Sequence, residues 1–286
     1  MHKINNVKRN ILRRLINIGS LNFQSKISIK GNEIDVNEKE ITINELMPIE
    51  IKNKEFDLIM SIYKQASNQV LEMLNGVNCE YKNIFKKEII NHITSRIKAP
   101  KSILDKMKKK NLELNYQNLI NNINDIAGVR VICPAKDDVY TIVSIVEKVP
   151  NWNLIIEKDY IRNPKKSGYS GYHMIVEVPV NINEINKNEQ HLLESSNERF
   201  ELISKESKQK TNNWQLKNII FVKVEIQIRT MAMDFWATNE HRMKYKSNKK
   251  MSYIDSKKLS IYAKVINIID ERISKINKKQ ELNHVL

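Results

Sequence analysis

Two carboxylates stand where a reaction centre carried on strands would need them. Asp125 lies just ahead of the run 127–133, Ala-Gly-Val-Arg-Val-Ile-Cys, which reads as a buried strand that stops at Pro134. Glu225 lies within 222–229, where strict alternation puts Lys223, Glu225, Gln227 and Arg229 on one face and Val222, Val224, Ile226 and Ile228 on the other. A polar strand face suits the floor of a site, and a plain solvent-exposed face is the alternative. Two carboxylates on neighbouring strands can hold Mg²⁺ while leaving positions open for substrate phosphates. Oxygen ligands without an accompanying His or Cys favour magnesium over a softer ion.

The handling of phosphate must fall to side-chain cations. The chain has six glycines, and none builds Gly-x-x-x-x-Gly-Lys-Ser/Thr or Gly-x-Gly-x-x-Gly. Its six histidines form no His-Glu-x-x-His and no adjacent His-Asp pair, and there is no Gly-x-Ser-x-Gly. Arg96, Lys98, Lys101 and Ser102, with Lys106 further on, surround a helix start at Pro100. Cations beside a helix N-terminus form a natural polyphosphate site, although a solvated basic helix has the same composition. The segment 158–173, Lys-Asp-Tyr-Ile-Arg-Asn-Pro-Lys-Lys-Ser-Gly-Tyr-Ser-Gly-Tyr-His, leads cations into a glycine-bent turn that presents an aromatic ring. Such a ring can stack on a base while the cations hold its phosphates.

These residues need a scaffold, and the pattern supplies one. Apolar residues at helical spacing (Phe56, Ile59, Ile62, Tyr63, Val70, Leu71, Leu74) predict a helix over 55–75, with a further helix over about 81–95. A Lys-rich helix follows Pro100 and another helix spans 136–148, while strands are expected at 127–133, 152–158, 172–180 and 219–229. The alternation predicts an α/β (α+β) domain over 55–246, a mixed β-sheet flanked by helices. The segment at about 181–218 is polar and aperiodic and reads as an insertion between two paired strands. Residues 1–54 read as a basic extension with a helix packing Ile11, Leu12, Leu15 and Ile18, and no cleaved signal is expected. Residues 247–286 hold a basic amphipathic helix carrying Ile261, Val265, Ile268, Ile269 and Ile273.

The 286 residues carry a formal net charge of +15, which attracts nucleotides and nucleic acid. Richness in Lys, Asn and Ile, which AT-rich coding DNA favours, accounts for part of that excess, so charge alone does not establish RNA binding. No apolar run reaches the ~18 residues of a membrane span. Two lone cysteines, Cys79 and Cys133, give neither a disulfide framework nor a zinc site and suit a reducing, cytoplasmic setting.

Taken together, six segments resemble the synthetase domain of the RelA/SpoT homologues, in particular the small alarmone synthetases. They are Ser-Arg-Ile-Lys at 95–98, Asp-Ile-Ala-Gly-Val-Arg at 125–130, Lys-Asp-Tyr-Ile at 158–161, Lys-Ser-Gly-Tyr at 166–169, Glu-Ile-Gln-Ile-Arg-Thr at 225–230 and Met-Asp-Phe-Trp-Ala-Thr-Asn-Glu-His at 233–241. The resemblance implies a nucleotidyltransferase-like synthetase fold and transfer of the β,γ-diphosphate of ATP to the 3′-hydroxyl of GDP or GTP, with AMP released. It implies Arg96 and Arg130 around the ATP adenine, and Lys98, Ser102 and Lys106 along its phosphates. Asp125 and Glu225 would bind Mg²⁺, with Glu225 also drawing the acceptor proton. Lys158 and Lys165 would meet acceptor phosphates, Tyr169 would stack on the guanine, and His173 and Gln227 would support the site.

The sequence departs from that pattern after the stacking tyrosine, where the family often has Arg-Ser and this chain has Ser170-Gly171. The missing cation bears on the choice of acceptor. An alternative therefore keeps the chemistry and takes the 3′ end of tRNA, as some toxic small relatives do, with an antitoxin as partner. A further alternative is a non-catalytic sensing module on the same scaffold, against which both carboxylates stand. The absence of a His-Asp metal motif argues against a hydrolase domain. Relatives also imply a homo-oligomer of up to four copies, with the C-terminal helix as a contact.

Overall fold

The computed structural model of the chain describes residues 54–181, 219–246 and 252–283. The expected basic N-terminal helix and polar insertion fall outside the described residues. Helix α1 (Lys54–Phe85) is one long helix. Its packed stripe, Phe56, Ile59, Ile62, Tyr63, Ala66, Val70, Leu74 and Val77, is buried at helical spacing against the sheet. Expecting a separate helix over about 81–95 was incorrect. Helix α1 runs on to Phe85, the chain turns at Lys86 with a φ of 54°, and strand β1 occupies His92–Ile97. Asn78 fixes that exit, accepting from the Ile89 and Ile90 amides at 3.1 and 3.0 Å and donating to the Ile90 carbonyl at 3.2 Å. The β-branched Ile93, Thr94 and Ile97 then find a pairing partner, and pairing overrides local helical preference.

Helix α2 (Pro100–Lys109) opens with its proline at the first turn, where no amide hydrogen is needed, and is anchored by Ile103 and Met107. Helix α3 (Tyr116–Asn122) is capped by Asn115, whose side chain accepts from the Asn118 amide at 2.8 Å. Strand β2 (Ala127–Cys133), helix α4 (Lys136–Val146), and strands β3 (Asn153–Asp159), β4 (Tyr172–Asn181) and β5 (Ile219–Thr230) follow. Helices α5 (Met231–Lys246) and α6 (Tyr253–Asn283) complete the described chain.

The five strands form one sheet in the order β1-β2-β5-β4-β3. Only β2 and β5 run parallel, which makes the sheet mixed as expected. One face is apolar and lies under α1, which crosses β1, β2, β5 and β4. Val129, Val131, Val224, Ile226, Ile228, Met174 and Val176 are buried there. The period-2 alternation of β5 therefore sends Glu225 and Gln227 to the opposite face.

Helix α6 lies across the far end of the body. Leu259 and Ala263 are buried with Trp236 and Tyr169, and the Trp236 indole donates to the Leu259 carbonyl at 3.1 Å. Further along, Thr230 Oγ1 donates to Asp270 at 2.7 Å and the Lys136 amide donates to Ser274 Oγ at 3.1 Å. The isoleucine stripe points away from this contact: Ile261, Val265, Ile268, Ile269 and Ile273 are 46–52% exposed.

Candidate active site

The strand register assembles the polar face row by row. Arg96 on β1 lies beside Gly128, which lies beside Glu225. One row along, Thr94, Arg130, Gln227, His173 and Lys158 are in register across all five strands. Paired residues share a face, so residues from distant parts of the sequence meet on one floor. The floor is not an open solvent face, since Glu225 and His173 side chains are only 17% and 16% exposed.

Asp125 enters this floor from the residue pair ahead of β2. Lys106 Nζ lies 2.7 Å from its Oδ1, and Lys98 Nζ lies 3.1 Å from its Oδ2. Burial works to raise the Asp125 pKa, but the hydrogen bonds and charges of Lys106 and Lys98 outweigh it and hold the carboxyl below its ordinary value. Lys106 stands one helical turn beyond the exposed Ser102 on α2, so both can follow one phosphate chain.

Glu225 accepts from His173 Nδ1 at 3.1 Å and from Gln227 Nε2 at 2.9 Å. Its burial raises the pKa, the His173 and Gln227 interactions lower it by more, and the nearby Asp125 charge opposes them. The net direction is downward, so the carboxyl is ionised at neutral pH. Glu225 pairs with Gly128, three residues past Asp125, so the strand register brings both carboxylates to the same end of the sheet.

The loop over 159–171 closes the other end. Asp159 ties its start by accepting from the Ile161 and Arg162 amides, each at 2.9 Å. The turn at 165–168 closes through the Gly168 amide donating to the Lys165 carbonyl at 2.7 Å. Gly168 has φ +95°, and a Cβ there would stand 2.4 Å from Ala263 Cβ on α6. Only glycine meets both demands. Tyr169 is 9% exposed, so its ring does not present an open platform for stacking. Lys165 Nζ lies 4.8 Å and Arg229 Cζ 5.0 Å from the centre of its ring, and Tyr160 packs edge-on at 5.9 Å. Burial raises the pKa of the Tyr169 hydroxyl against the opposing charge of Arg229.

The fold thus draws Asp125, Glu225, Arg96, Lys98, Lys106, Arg130, Lys158, Lys165, Tyr169, His173 and Gln227 to one face, with Lys158 and Lys165 at its exposed rim. Two residues of the site were not assigned from sequence. Asp234 on α5 lies 3.0 Å from Arg229 Nη1 and 3.6 Å from Arg130 Nη1, and it joins the two arginines. Arg130 needs that partner, because burial and then the charges of Arg229 and Arg96 all lower its pKa. Arg229 itself is buried. Its place on the polar side of an alternating strand was the available signal, since a buried guanidinium must be paired.

A floor with two ionised carboxylates ringed by lysines and arginines defines a class: a transferase that acts on phosphoryl groups. A family model described as "Region found in RelA / SpoT proteins" matches residues 95–250. The GTP pyrophosphokinase YwaC of Bacillus subtilis is 32% identical over 218 residues, covering 76% of this chain and 88% of that one. The GTP pyrophosphokinase YjbM of the same organism is 28% identical over 224 residues, covering 78% and 89%. Among solved structures, the B. subtilis small alarmone synthetase 1 bound to its product pppGpp aligns with a TM-score of 0.62 at 26% identity, covering 79% of this chain and 98% of that one. A GTP pyrophosphokinase family protein from Streptococcus pneumoniae aligns with a TM-score of 0.62 at 30% identity, covering 80% and 96%. The chain belongs to the RelA/SpoT family.

Proposed function

We propose that this chain is a GTP pyrophosphokinase of the small alarmone synthetase type, moving the β,γ-diphosphate of ATP to the 3′-hydroxyl of GDP or GTP and releasing AMP. The observation that carries the reading is the meeting of Asp125 and Glu225 on one polar floor, both held ionised amid cations. The names of the relatives reported above support the guanine nucleotide as acceptor over the tRNA end.

The donor set fits Mg²⁺. Among the described residues no group of three or more His, Cys, Asp or Glu could hold a metal ion. Two carboxylates that share their ion with substrate phosphates match magnesium's habit of binding through few protein ligands. Asp125 and Glu225 would hold the ion, and when bound it would offset charge on the phosphoryl oxygens. The chain's own groups do the rest. Lys98 and Lys106, now on Asp125, are the cations a triphosphate would draw onto itself. Arg96 and Arg130 flank the adenine side. Glu225 is ionised and sits beside the acceptor-side loop, so it can take the 3′-hydroxyl proton as the oxygen attacks the β-phosphorus in line. Lys158 and Lys165 face the acceptor phosphates, and the guanine meets Tyr169 once Lys165 leaves its ring for those phosphates.

No helix among the described residues is long and apolar enough to cross a membrane, and a cytoplasmic setting suits the nucleotide substrates. The exposed isoleucine stripe of α6 supports self-association. Ile269→Glu should lower the sedimenting mass, and an unchanged mass would place any subunit contact elsewhere. The central test incubates the protein with β-labelled ATP and Mg²⁺, together with GDP, GTP or deacylated tRNA. Label entering the guanine nucleotide with equimolar AMP is the expected result. Label entering only tRNA would overturn the acceptor, and no AMP with any acceptor would overturn the activity.

A further inference from the structure

Among the described residues, both hydrogen bonds to the Glu225 side chain can be traced back to Arg229. The Arg229 side chain is 7% exposed. Its Nε and Nη2 both donate to the Tyr169 hydroxyl, at 3.1 and 2.7 Å. Nη2 also donates to Gln227 Oε1 at 2.9 Å, and Nη1 donates to Asp234 at 3.0 Å. A guanidinium has donors only, so the direction of each contact is fixed. The Tyr169 oxygen accepts twice, and its one proton must go to its remaining partner, His173 Nε2. His173 Nε2 is then an acceptor, which places the proton of the neutral ring on Nδ1, facing Glu225 Oε1. Gln227 is oriented in the same way: its oxygen faces Arg229, so its NH₂ faces Glu225 Oε2. Two chains of donors start at one arginine and end on the two oxygens of one carboxylate.

The backbone leaves room for this arrangement. Gly171 has φ +154°, and a Cβ there would lie 3.1 Å from Arg229 Cγ and 3.3 Å from the Tyr169 hydroxyl. Any side chain at 171 would press on the arginine stem and the phenol together. Gly171 thus lies at the junction of the network.

We propose that Arg229 is a positioning residue that orients the Tyr169 hydroxyl and the Gln227 amide, so that Gln227 and, through Tyr169, the His173 ring each aim a donor at one oxygen of the Glu225 carboxylate. Its catalytic consequence rests on the pyrophosphokinase reading; its structural consequence does not. Arg229 acts without touching substrate. Asp234 holds the guanidinium from the outer side, so the clamp has its own counter-charge.

The test has two arms. In the first, the uniformly ¹⁵N-histidine-labelled protein without substrate is examined by long-range ¹H–¹⁵N correlation at alkaline pH, where histidine rings are neutral. The His173 signal is assigned by its loss in His173→Asn. The expected wild-type ring is protonated on Nδ1, and Tyr169→Phe or Arg229→Met should each shift the Nε2 resonance as its hydrogen-bond donor is lost or turned away, with the proton kept on Nδ1 toward the Glu225 carboxylate. A wild-type ring protonated on Nε2, or one that neither substitution alters, overturns the proposal. The second arm is kinetic. Arg229→Met should lower kcat by about tenfold or more with little change in the KM for ATP, the scale of a lost charge-assisted contact. Arg229→Lys keeps the charge without the fork, so it should remain close to the Met variant. Arg229→Met combined with Tyr169→Phe should be little worse than Arg229→Met alone, because the arginine substitution already breaks the chain that runs through Tyr169. Full rescue by lysine, or strictly additive losses, would reduce Arg229 to bulk charge or packing. Tyr169→Phe retains the ring and supplies the answer if Arg229→Met fails to fold. If the wild-type enzyme releases no AMP while the Nδ1 tautomer is present, the functional reading fails and the positioning geometry stands.

Discussion

Replacing Glu225 with glutamine keeps the side-chain shape and places an NH₂ where the network supplies only donors. In the native site one carboxylate oxygen accepts from His173 at 3.1 Å and the other from Gln227 at 2.9 Å. A carboxamide can satisfy one of them. If its nitrogen meets the Gln227 NH₂, Gln227 can turn over only by pointing that NH₂ at Arg229. If its nitrogen meets His173 Nδ1–H, the ring can change tautomer only by giving up the Tyr169 proton. One unsatisfied donor therefore remains, at a cost of about 1–3 kcal/mol. Loss of a carboxylate at the reacting centre adds to the barrier itself. About 3 kcal/mol in the transition state corresponds to roughly a hundredfold in rate. The assay is AMP release at saturating ATP and GDP, with affinity for a non-hydrolysable ATP analogue and the thermal midpoint measured alongside. The expected result is a kcat at least about a hundredfold lower, with the analogue still bound and the protein folded. Turnover within about threefold of wild type, a barrier change below ~1 kcal/mol, would show that Glu225 is not at the centre of the reaction.

Other substitutions test neighbouring parts of the argument. Gly168→Ala puts a Cβ 2.4 Å from Ala263 at a φ of +95°, so stability should fall by about 1–3 kcal/mol. Acceptor affinity should fall more than ATP affinity, and an unchanged melting curve would remove α6 from the support of the loop. Lys106→Met strips the 2.7 Å partner from Asp125. The ATP analogue should bind more weakly, while Mn²⁺ alone, followed by electron paramagnetic resonance, should bind a few-fold more tightly; unaltered Mn²⁺ binding would show that the lysine does not mask the carboxylate. Asp270 gives a pH signature. Burial raises its pKa, and Thr230 and Lys136 offset this only in part. The folded-state pKa lies above the ordinary carboxylate value of ~3.9. The favourable contribution is complete below that ordinary value and is lost as pH rises through the raised one. Asp270→Asn, which still accepts from Thr230, should raise the thermal midpoint at neutral pH and flatten its dependence on pH in the mildly acidic range. A profile parallel to wild type would refute the assignment.

The one-dimensional pattern was sufficient for the parts of the fold set by short-range rules. Alternation in 219–230 determined which side chains of β5 are buried and which face the site. The helical stripe of α1, the proline start of α2 and the end of β2 at Pro134 follow from local stereochemistry in the same way. The boundary after Phe85 was not legible, because β1 exists through its pairing with β2 and through Asn78, contacts that span many residues.

The candidate site divides along the same line. The chain order alone marked Asp125, Glu225, their cations and the glycine-bent loop, because residue type and strand phase carry that information. It could not show that Tyr169 is buried beneath Lys165 and Arg229, since burial depends on α6 arriving from about ninety residues downstream. Nor could it give the donor directions that end on Glu225. Hydrogen-bond direction is settled by which groups stand within reach of one another, and five side chains from three separate segments meet there only because β4 lies beside β5 and α5 turns back over them.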